Sequence, residues 1–347
     1  MSRLYPYNPP LALVPLLRPL GAGFDFLTAL RRQTYQKGWS KAVKVAAPVI
    51  SVGNLTLGGN RKTPLCAFLA QALAGRGFRP AIISRGYGRK VRFLDRAPLL
   101  VAKGAGPLVR PEVAGDEPYL LAKITPAIVA VAADRLKAAA LALNQGADIL
   151  ILDDGFQRLS FARDVDVLAL TGPRPFGDGL VFPAGPLRER LAAGSAADLV
   201  VASNDSPPNP WGRPQFTASL DLTALTINNS RETLPLSFAR KVRLAAFCGL
   251  GNPQNFFASL KAWDLAPVAS LAWPDHVRYG ADHIKRLRRF YRFSQAEWLV
   301  TTAKDAVKLV GQNLPPLLVA ETTLRLEKPG EFLDLILGAL KRRGHGL

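Results

Sequence analysis

Cysteine, histidine and methionine are scarce in this chain: 347 residues hold two Cys, three His and one Met. Cys66 and Cys248 lie far apart, each in an apolar segment. That placement argues against a disulfide and for buried thiols in a reducing compartment. Three histidines leave no zinc-type cluster. Acid is short as well, with 26 Asp and Glu against 45 Lys and Arg, a formal net charge of +19. Such an excess favours polyanions, whether nucleic acid, anionic lipid or a phosphorylated substrate, without choosing among them. There is no short fixed repeat and no low-complexity tract. What is present, 48% hydrophobic and 20% charged residues, is the composition of a folded protein long enough for two α/β domains.

The N-terminal stretch Tyr5 to Leu30 is apolar and proline-rich, broken by Arg18 and Asp25 and followed by Arg31-Arg32. Pro15 and Pro19 argue against one straight spanning helix, and the uncharged part falls short of the ~20 residues that cross a bilayer. No small-residue cleavage site supports a signal peptide. Residues 1–32 therefore read as a helix lying in a membrane interface. Tyr5 and Tyr7 would sit at headgroup level, with Arg18, Arg31, Arg32, Lys37, Lys41 and Lys44 toward anionic lipid. A helix packed on the protein's own core is the alternative.

Ile50 to Pro64 reads I-S-V-G-N-L-T-L-G-G-N-R-K-T-P. An apolar strand, a glycine-rich turn, Lys62-Thr63 and a helix start form the layout of a phosphate-binding loop. There, backbone N–H groups and the Lys hold phosphates and the Thr hydroxyl meets Mg²⁺. Thr56 and Arg61 occupy the two positions where the G-x-x-x-x-G-K-[ST] pattern wants glycine. Further along, D-I-L-I-L-D-D (148–154) is a strand ending in two carboxylates, the usual partner of such a loop. Arg85-Gly86-Tyr87-Gly88-Arg89 follows a short strand, where α/β sheets bind ligands. Asp116-Glu117 opens a helix, where carboxylates also serve as simple dipole partners. Arg188-Glu189 ends a proline-rich loop, as a surface ion pair or as a phosphate clamp. The composition changes at Asn204 to Pro214, and residues 215–241 read as a β-ribbon. Strand and helix patterns resume from Val242. His276 follows Trp273-Pro274-Asp275 there, and the basic segment His283 to Phe293 reads as a solvated helix face.

VGNLTLGGNRKTP, SRGYGR, VAGDEPYLLA, LDDGFQ, FPAGPLRE, WPDH and TTAKDAVKL, in this order and spacing, resemble the tetraacyldisaccharide 4'-kinase family, the lipid A kinases of Gram-negative bacteria. The resemblance implies transfer of the γ-phosphoryl of ATP, with Mg²⁺, to the 4'-hydroxyl of tetraacyldisaccharide 1-phosphate. It implies an α/β fold of two α/β/α sandwich domains, a P-loop kinase domain (33–214) and a smaller C-terminal domain (242–347), joined by the ribbon. It also implies a monomer on the cytoplasmic face of the inner membrane, with no nucleic-acid partner. By position in the motifs, Gly58, Gly59, Asn60, Arg61, Lys62 and Thr63 would hold ATP. Thr63, Asp153 and Asp154 would hold the metal, and Asp116, His276 and Lys62 would be catalytic. Arg85, Tyr87, Glu117, Arg135, Gln157, Arg188 and Glu189 would support substrate, and Lys304-Asp305 would contact nucleotide.

The chain departs from the family pattern at Arg61, Arg158, Val277 and Ala303. Only Arg61 touches the phosphate loop. If residue 61 needs a positive φ, a side chain there costs about 1 kcal/mol or more; otherwise it adds a cation for phosphates. A P-loop ATPase that switches a protein partner, or a lipid-binding homologue impaired by Arg61, are the competing readings.

Overall fold

The computed structural model describes residues 9–58, 61–87, 89, 97–230 and 232–346. Gly59, Asn60, Gly88, Tyr5 and Tyr7 lie outside that set. A long helix, α1 (Val14–Gln36), comes first. Then run β1 (Val49–Gly53), α2 (Lys62–Gly75), β2 (Pro80–Ser84), β3 (Leu99–Lys103), α3 (Pro111–Ala114), α4 (Asp116–Ile124) and β4 (Ile128–Val131). The first half closes with α5 (Arg135–Asn144), β5 (Ile149–Asp153), β6 (Val165–Leu170) and β7 (Leu199–Ser203). Next come β8 (Gln215–Ile227), β9 (Thr233–Leu234), α6 (Leu236–Ala239), β10 (Leu244–Cys248), α7 (Pro253–Ala262) and β11 (Ala269–Ala272). Last are α8 (Ala281–Ser294), β12 (Trp298–Thr302), α9 (Ala303–Ala306), β13 (Leu317–Leu326) and α10 (Pro329–Arg342).

The fold is mixed α/β around one large, mostly parallel sheet, ordered β11-β10-β12-β13-β8-β7-β6-β1-β5-β2-β4-β3, with β9 beside β8. Antiparallel pairs occur where β3 meets β4, where β13 meets β8 and where β9 meets β8. β1, β2, β5, β6 and β7 are buried at every position, as strands covered on both faces must be. Sequence alternation at 215–227 marks β8, but its partner β13 was not expected. The β8–β13 ribbon, bulged at Glu321/Thr322, carries the sheet continuously from one half to the other. β1 lies between β5 and β6, so the loop after β1 and the carboxylates after β5 emerge side by side.

Two sequence expectations change. The C-terminal helix, assigned by chain order to the second half, packs on the first. α10 places Phe332, Leu333, Ile336 and Leu340 in the core that also holds Leu65, Leu69 and Val167. Phe332 stacks edge-on with Phe216, and Arg343 pairs with Asp198 at 3.0 Å. An apolar stripe at helical spacing needs an apolar sheet face, and β13 delivers α10 to this one. The N-terminal helix also differs. It runs unbroken to Gln36 rather than residue 32: Pro15 occupies the first turn, where no N–H bond is lost, and Pro19 is accommodated inside the helix with the loss of one. Residues Leu11–Gln36 are long and apolar enough to cross a membrane by length and composition. Leu16 (72%), Leu20 (62%) and Leu27 (62%) are exposed. Arg32, expected to face lipid, is instead buried against Glu189 at 2.8 Å and lies over the Phe156 ring. That pair fastens the helix to the loop beside β1.

Candidate active site

β1 ends at Gly53, where any Cβ would come within 2.4 Å of Phe156 Cβ, so glycine lets the strand end pass beneath the 154–157 turn. The next residues are held by main chain. Leu57 N donates to the Pro186 carbonyl (2.8 Å), Arg188 N donates to the Leu55 carbonyl (2.7 Å), and Thr56 makes a bridge with Leu187. A bridged position is extended, which explains why Thr56 replaces glycine without strain. The chain then turns at Gly58 (φ 104) and Arg61 (φ 56, ψ 20) into α2. Residue 61 does therefore sit in the left-handed region. The Arg61 guanidinium points away from the loop's mouth, donating to the Ala218 carbonyl of β8 at 3.0 Å. Burial lowers its pKa, opposed by Asp205. In the ligand-free fold the extra cation is a strut to the ribbon.

Lys62 and Thr63 open α2, whose free N–H groups and dipole favour an anion. Lys62 Nζ donates to Asn54 Oδ1 (2.9 Å) and stands 3.4 Å from Asp154 Oδ1. Asp154, at φ 54, receives both oxygens' worth of contact from Arg188 Nη1 at 2.9 Å. Burial works against its charge, but Lys62 and Arg188 hold its carboxyl far below the usual range. Asp153 is the opposite case. It is buried and accepts from Ser84 Oγ (3.0 Å), and burial, then Glu117, then Asp154, push it up to about 7. Two neighbouring carboxylates driven apart in this way mark a functional site. An Asp153 with too little positive charge beside it suits a cation.

Mg²⁺ uses one or two carboxylates and completes its shell with phosphate and water oxygens. Thr63, Asp153 and Asp154 fit that donor set. The described residues contain no group of three or more His, Cys, Asp or Glu placed to cage a metal.

Arg135 follows the Asp134 cap of α5, and its buried Nε and Nη1 have no hydrogen-bond partner. Burial and Arg158 lower its pKa to about 10, while Asp154 and Asp153 favour its charge. A buried, unpartnered guanidinium calls for an anion. Arg85 weighs on both Arg135 and Arg158, so the three form a cationic rim. Gln157 Nε2 donates to the Asn54 carbonyl at 2.9 Å, a bracing role. Arg188 and Glu189 do not pair with each other: one clamps Asp154, the other Arg32.

Across from the loop, α3 meets α4 at Gly115 (φ 91), where a Cβ would lie 2.7 Å from the Tyr87 carbonyl. This joint delivers Asp116 and Glu117. His276, at φ 56 in the loop after β11, places Nδ1 3.5 Å from Asp116 Oδ2 and Nε2 3.9 Å from Asp275 Oδ2. The Tyr87 ring lies 4.7 Å from the imidazole. Burial opposes the Glu117 charge, but Lys304 first, then His276 and Lys62, hold its carboxyl below the usual range. Glu117 thus stands between the loop cluster and the Asp116–His276 cluster. Lys304, expected at the nucleotide, spans Glu117 (2.9 Å) and Asp275 (3.2 Å) in the ligand-free fold. Burial works against the Lys304 charge and these two carboxylates raise its pKa. Asp305 is fully buried. Sequence reasoning did not single out Asn54, Ser84, Asp275 or Lys308, although each stands beside a selected motif.

The family model for Tetraacyldisaccharide-1-P 4'-kinase matches residues 13–341. A tetraacyldisaccharide 4'-kinase of Pelobacter propionicus is 37% identical over 96% of this chain and 94% of its own length. One from Acidovorax sp. is 38% identical over 96% and 94%. Among solved structures, LpxK of Aquifex aeolicus, crystallised in complex with ATP, aligns at 31% identity and a TM-score of 0.76. That alignment covers 94% of this chain and 99% of that one.

Proposed function

The chain belongs to the tetraacyldisaccharide 4'-kinase family, and we propose how its cleft performs that family's reaction. It transfers the γ-phosphoryl of ATP to the 4'-hydroxyl of tetraacyldisaccharide 1-phosphate, in lipid A biosynthesis. The observation that carries the site assignment is the position of Glu117, electrostatically coupled both to Lys62 and to His276. A phosphate loop and a proton-accepting pair therefore serve one cavity.

In this reading the N–H groups at the start of α2 and the Lys62 ammonium bind the β- and γ-phosphates. Arg135, with its orphaned guanidinium, stabilises charge on the transferring group. Thr63, Asp153 and Asp154 would hold Mg²⁺, which would supply neutralisation of phosphate charge. The 4'-oxygen forms its bond to the γ-phosphorus as the bond to the bridging oxygen breaks, and ADP leaves. The hydroxyl proton passes to the Asp116–His276 pair. Arg85 and Tyr87 border the acceptor side, and Gln157, Arg188 and Glu189 brace the loop. We read 33–214 as the kinase body and 242–347 as the second body, joined through 215–241, with α10 crossing back.

The exposed apolar flank of α1, the chain's +19 charge and the lipid acceptor support a seat on the cytoplasmic face of the inner membrane, and we read the chain as a monomer there. Wild-type protein with γ-labelled ATP, Mg²⁺ and the acceptor lipid in mixed micelles is expected to yield labelled lipid. ATP hydrolysis without labelled lipid would mean a switch ATPase and sink the kinase reading. Deleting residues 1–36 is expected to abolish binding to anionic vesicles. Binding that survives the deletion removes α1 as the anchor.

Arg61→Gly is expected to relieve left-handed strain of about 1 kcal/mol and to give up the strut to Ala218. The KM for ATP should then change by no more than about threefold, since the guanidinium is engaged by the Ala218 carbonyl of β8. A tenfold rise in that KM would place Arg61 among the phosphate ligands after all.

A further inference from the structure

Lys308 lies in the 3-10 turn that follows α9, one turn beyond Lys304, and its side chain is 8% exposed. Its ammonium stands 2.8 Å from Asp305 Oδ1, 3.9 Å from Asp116 Oδ2 and 5.3 Å from the centre of the Tyr279 ring. None of these contacts has the angle of a hydrogen bond, and Nζ is buried without a directed acceptor. Asp305 has other donors besides this ion pair. That carboxylate already accepts from Gly249 N (2.9 Å), Tyr279 Oη (3.0 Å) and Thr302 Oγ1 (2.9 Å). Lys304 is likewise committed, to Glu117 and Asp275. Among the described residues, the basic side chains within ion-pair distance of Asp116 are His276 and Lys308.

We propose that Lys308 is a positioning residue for phosphoryl transfer, acting through Asp116. This rests on the reading that Asp116 and His276 accept the hydroxyl proton. Asp116 comes from α4 in the first half of the chain, and Lys308 and His276 come from the second. A buried cation fixed by Asp305 and the Tyr279 ring offers Asp116 a rigid counter-charge. It holds the carboxylate aligned with the imidazole across the boundary between halves. The charged groups that face this pair are Asp116 and Glu117 from α4, Asp275 and His276 after β11, and Lys304, Asp305 and Lys308 around α9. Among the described residues the ion-pair partners of Lys308 are Asp305 and Asp116.

The test is a double-mutant cycle on the full-length chain, with kcat and both KM values measured by labelled-lipid formation. Lys308→Met alone is expected to lower kcat by about 10- to 100-fold while both KM values stay within about twofold. In an Asp116→Asn background the same change should cost no more than about twofold, because the group it acts through is gone. Equal losses in the two backgrounds, or a Lys308→Met enzyme with unchanged kcat, overturn the proposal. Where Lys308→Met does not fold, as judged by its melting transition, Lys308→Gln replaces it, keeping a donor for Asp305. An Asp116→Asn enzyme with full activity would instead overturn the underlying reading of the pair, whatever Lys308 does.

Discussion

Asp116→Asn and His276→Ala are each expected to lower kcat by about 10²- to 10⁴-fold, with the KM for ATP little changed. The two side chains come from α4 and from the loop after β11, 160 positions apart in the chain, yet stand 3.5 Å from each other. Neither lies against the α2 N-terminus, where ATP phosphates are expected, so nucleotide affinity should be insensitive to both. The left-handed backbone at His276 and the positive φ at Gly115 are conformations the chain accepts only where geometry demands them. Because an aspartate that aligns an imidazole and the imidazole itself form one acceptor, removing both should cost little more than removing the worse one. A double variant whose loss equals the product of the two single losses would mean that they act separately. Asp116→Glu, which keeps the charge and moves it by one methylene, separates alignment from charge and should recover only part of the rate.

Much of this site was legible along the chain, because the loop, the acidic pair and the α4 start are each contiguous. Their residue types report on adjacent backbone: glycine at turns, carboxylates after an apolar strand, Lys-Thr at a helix start. What could not be read locally is pairing between distant segments. Arg188 and Glu189, neighbours in sequence, turn to Asp154 and Arg32, partners 34 and 157 positions away that no local pattern announces. Lys304 looked like a nucleotide contact from its motif alone. Only the return of the chain through β12 sets it between Glu117 and Asp275. β13 escaped notice since Leu317–Ala320 is uniformly apolar and its second half alternates only weakly, which fits no single period. Missing β13 in turn misplaced α10. The extended-looking departure at Thr56 and the strained one at Arg61 resemble each other as letters. They differ because one position is bridged to Leu187 and the other must turn with a positive φ.

Asp153→Asn should do two opposite things, and the contrast makes it a decisive variant. In the folded chain burial, Glu117 and Asp154 push the Asp153 carboxyl up to about 7, above its ordinary value of 3.8. Between those pH values the folded state keeps a proton that the unfolded state has lost, so wild-type stability falls as pH rises through that window. Above about pH 7 the folded chain carries a buried, poorly compensated charge. An isosteric amide removes the charge while still accepting from Ser84 Oγ. The ligand-free variant should therefore melt at nearly the wild-type temperature at pH 5 and several degrees higher at pH 8. Kinase activity should fall by about 10²-fold or more, since a residue expected to hold Mg²⁺ has lost its charge. Mg²⁺ with a non-hydrolysable ATP analogue should raise the melting temperature of the wild type and leave the variant nearly unmoved. Melting curves at pH 5, 6, 7 and 8, with and without that pair of ligands, decide the matter. A variant less stable than wild type at pH 8 would show that Asp153 is a satisfied structural carboxylate. Equal stabilisation of both proteins by the ligands would take it out of the metal site. The expected result, a more stable and nearly inactive protein, means the chain keeps a destabilising buried charge where phosphate chemistry uses it.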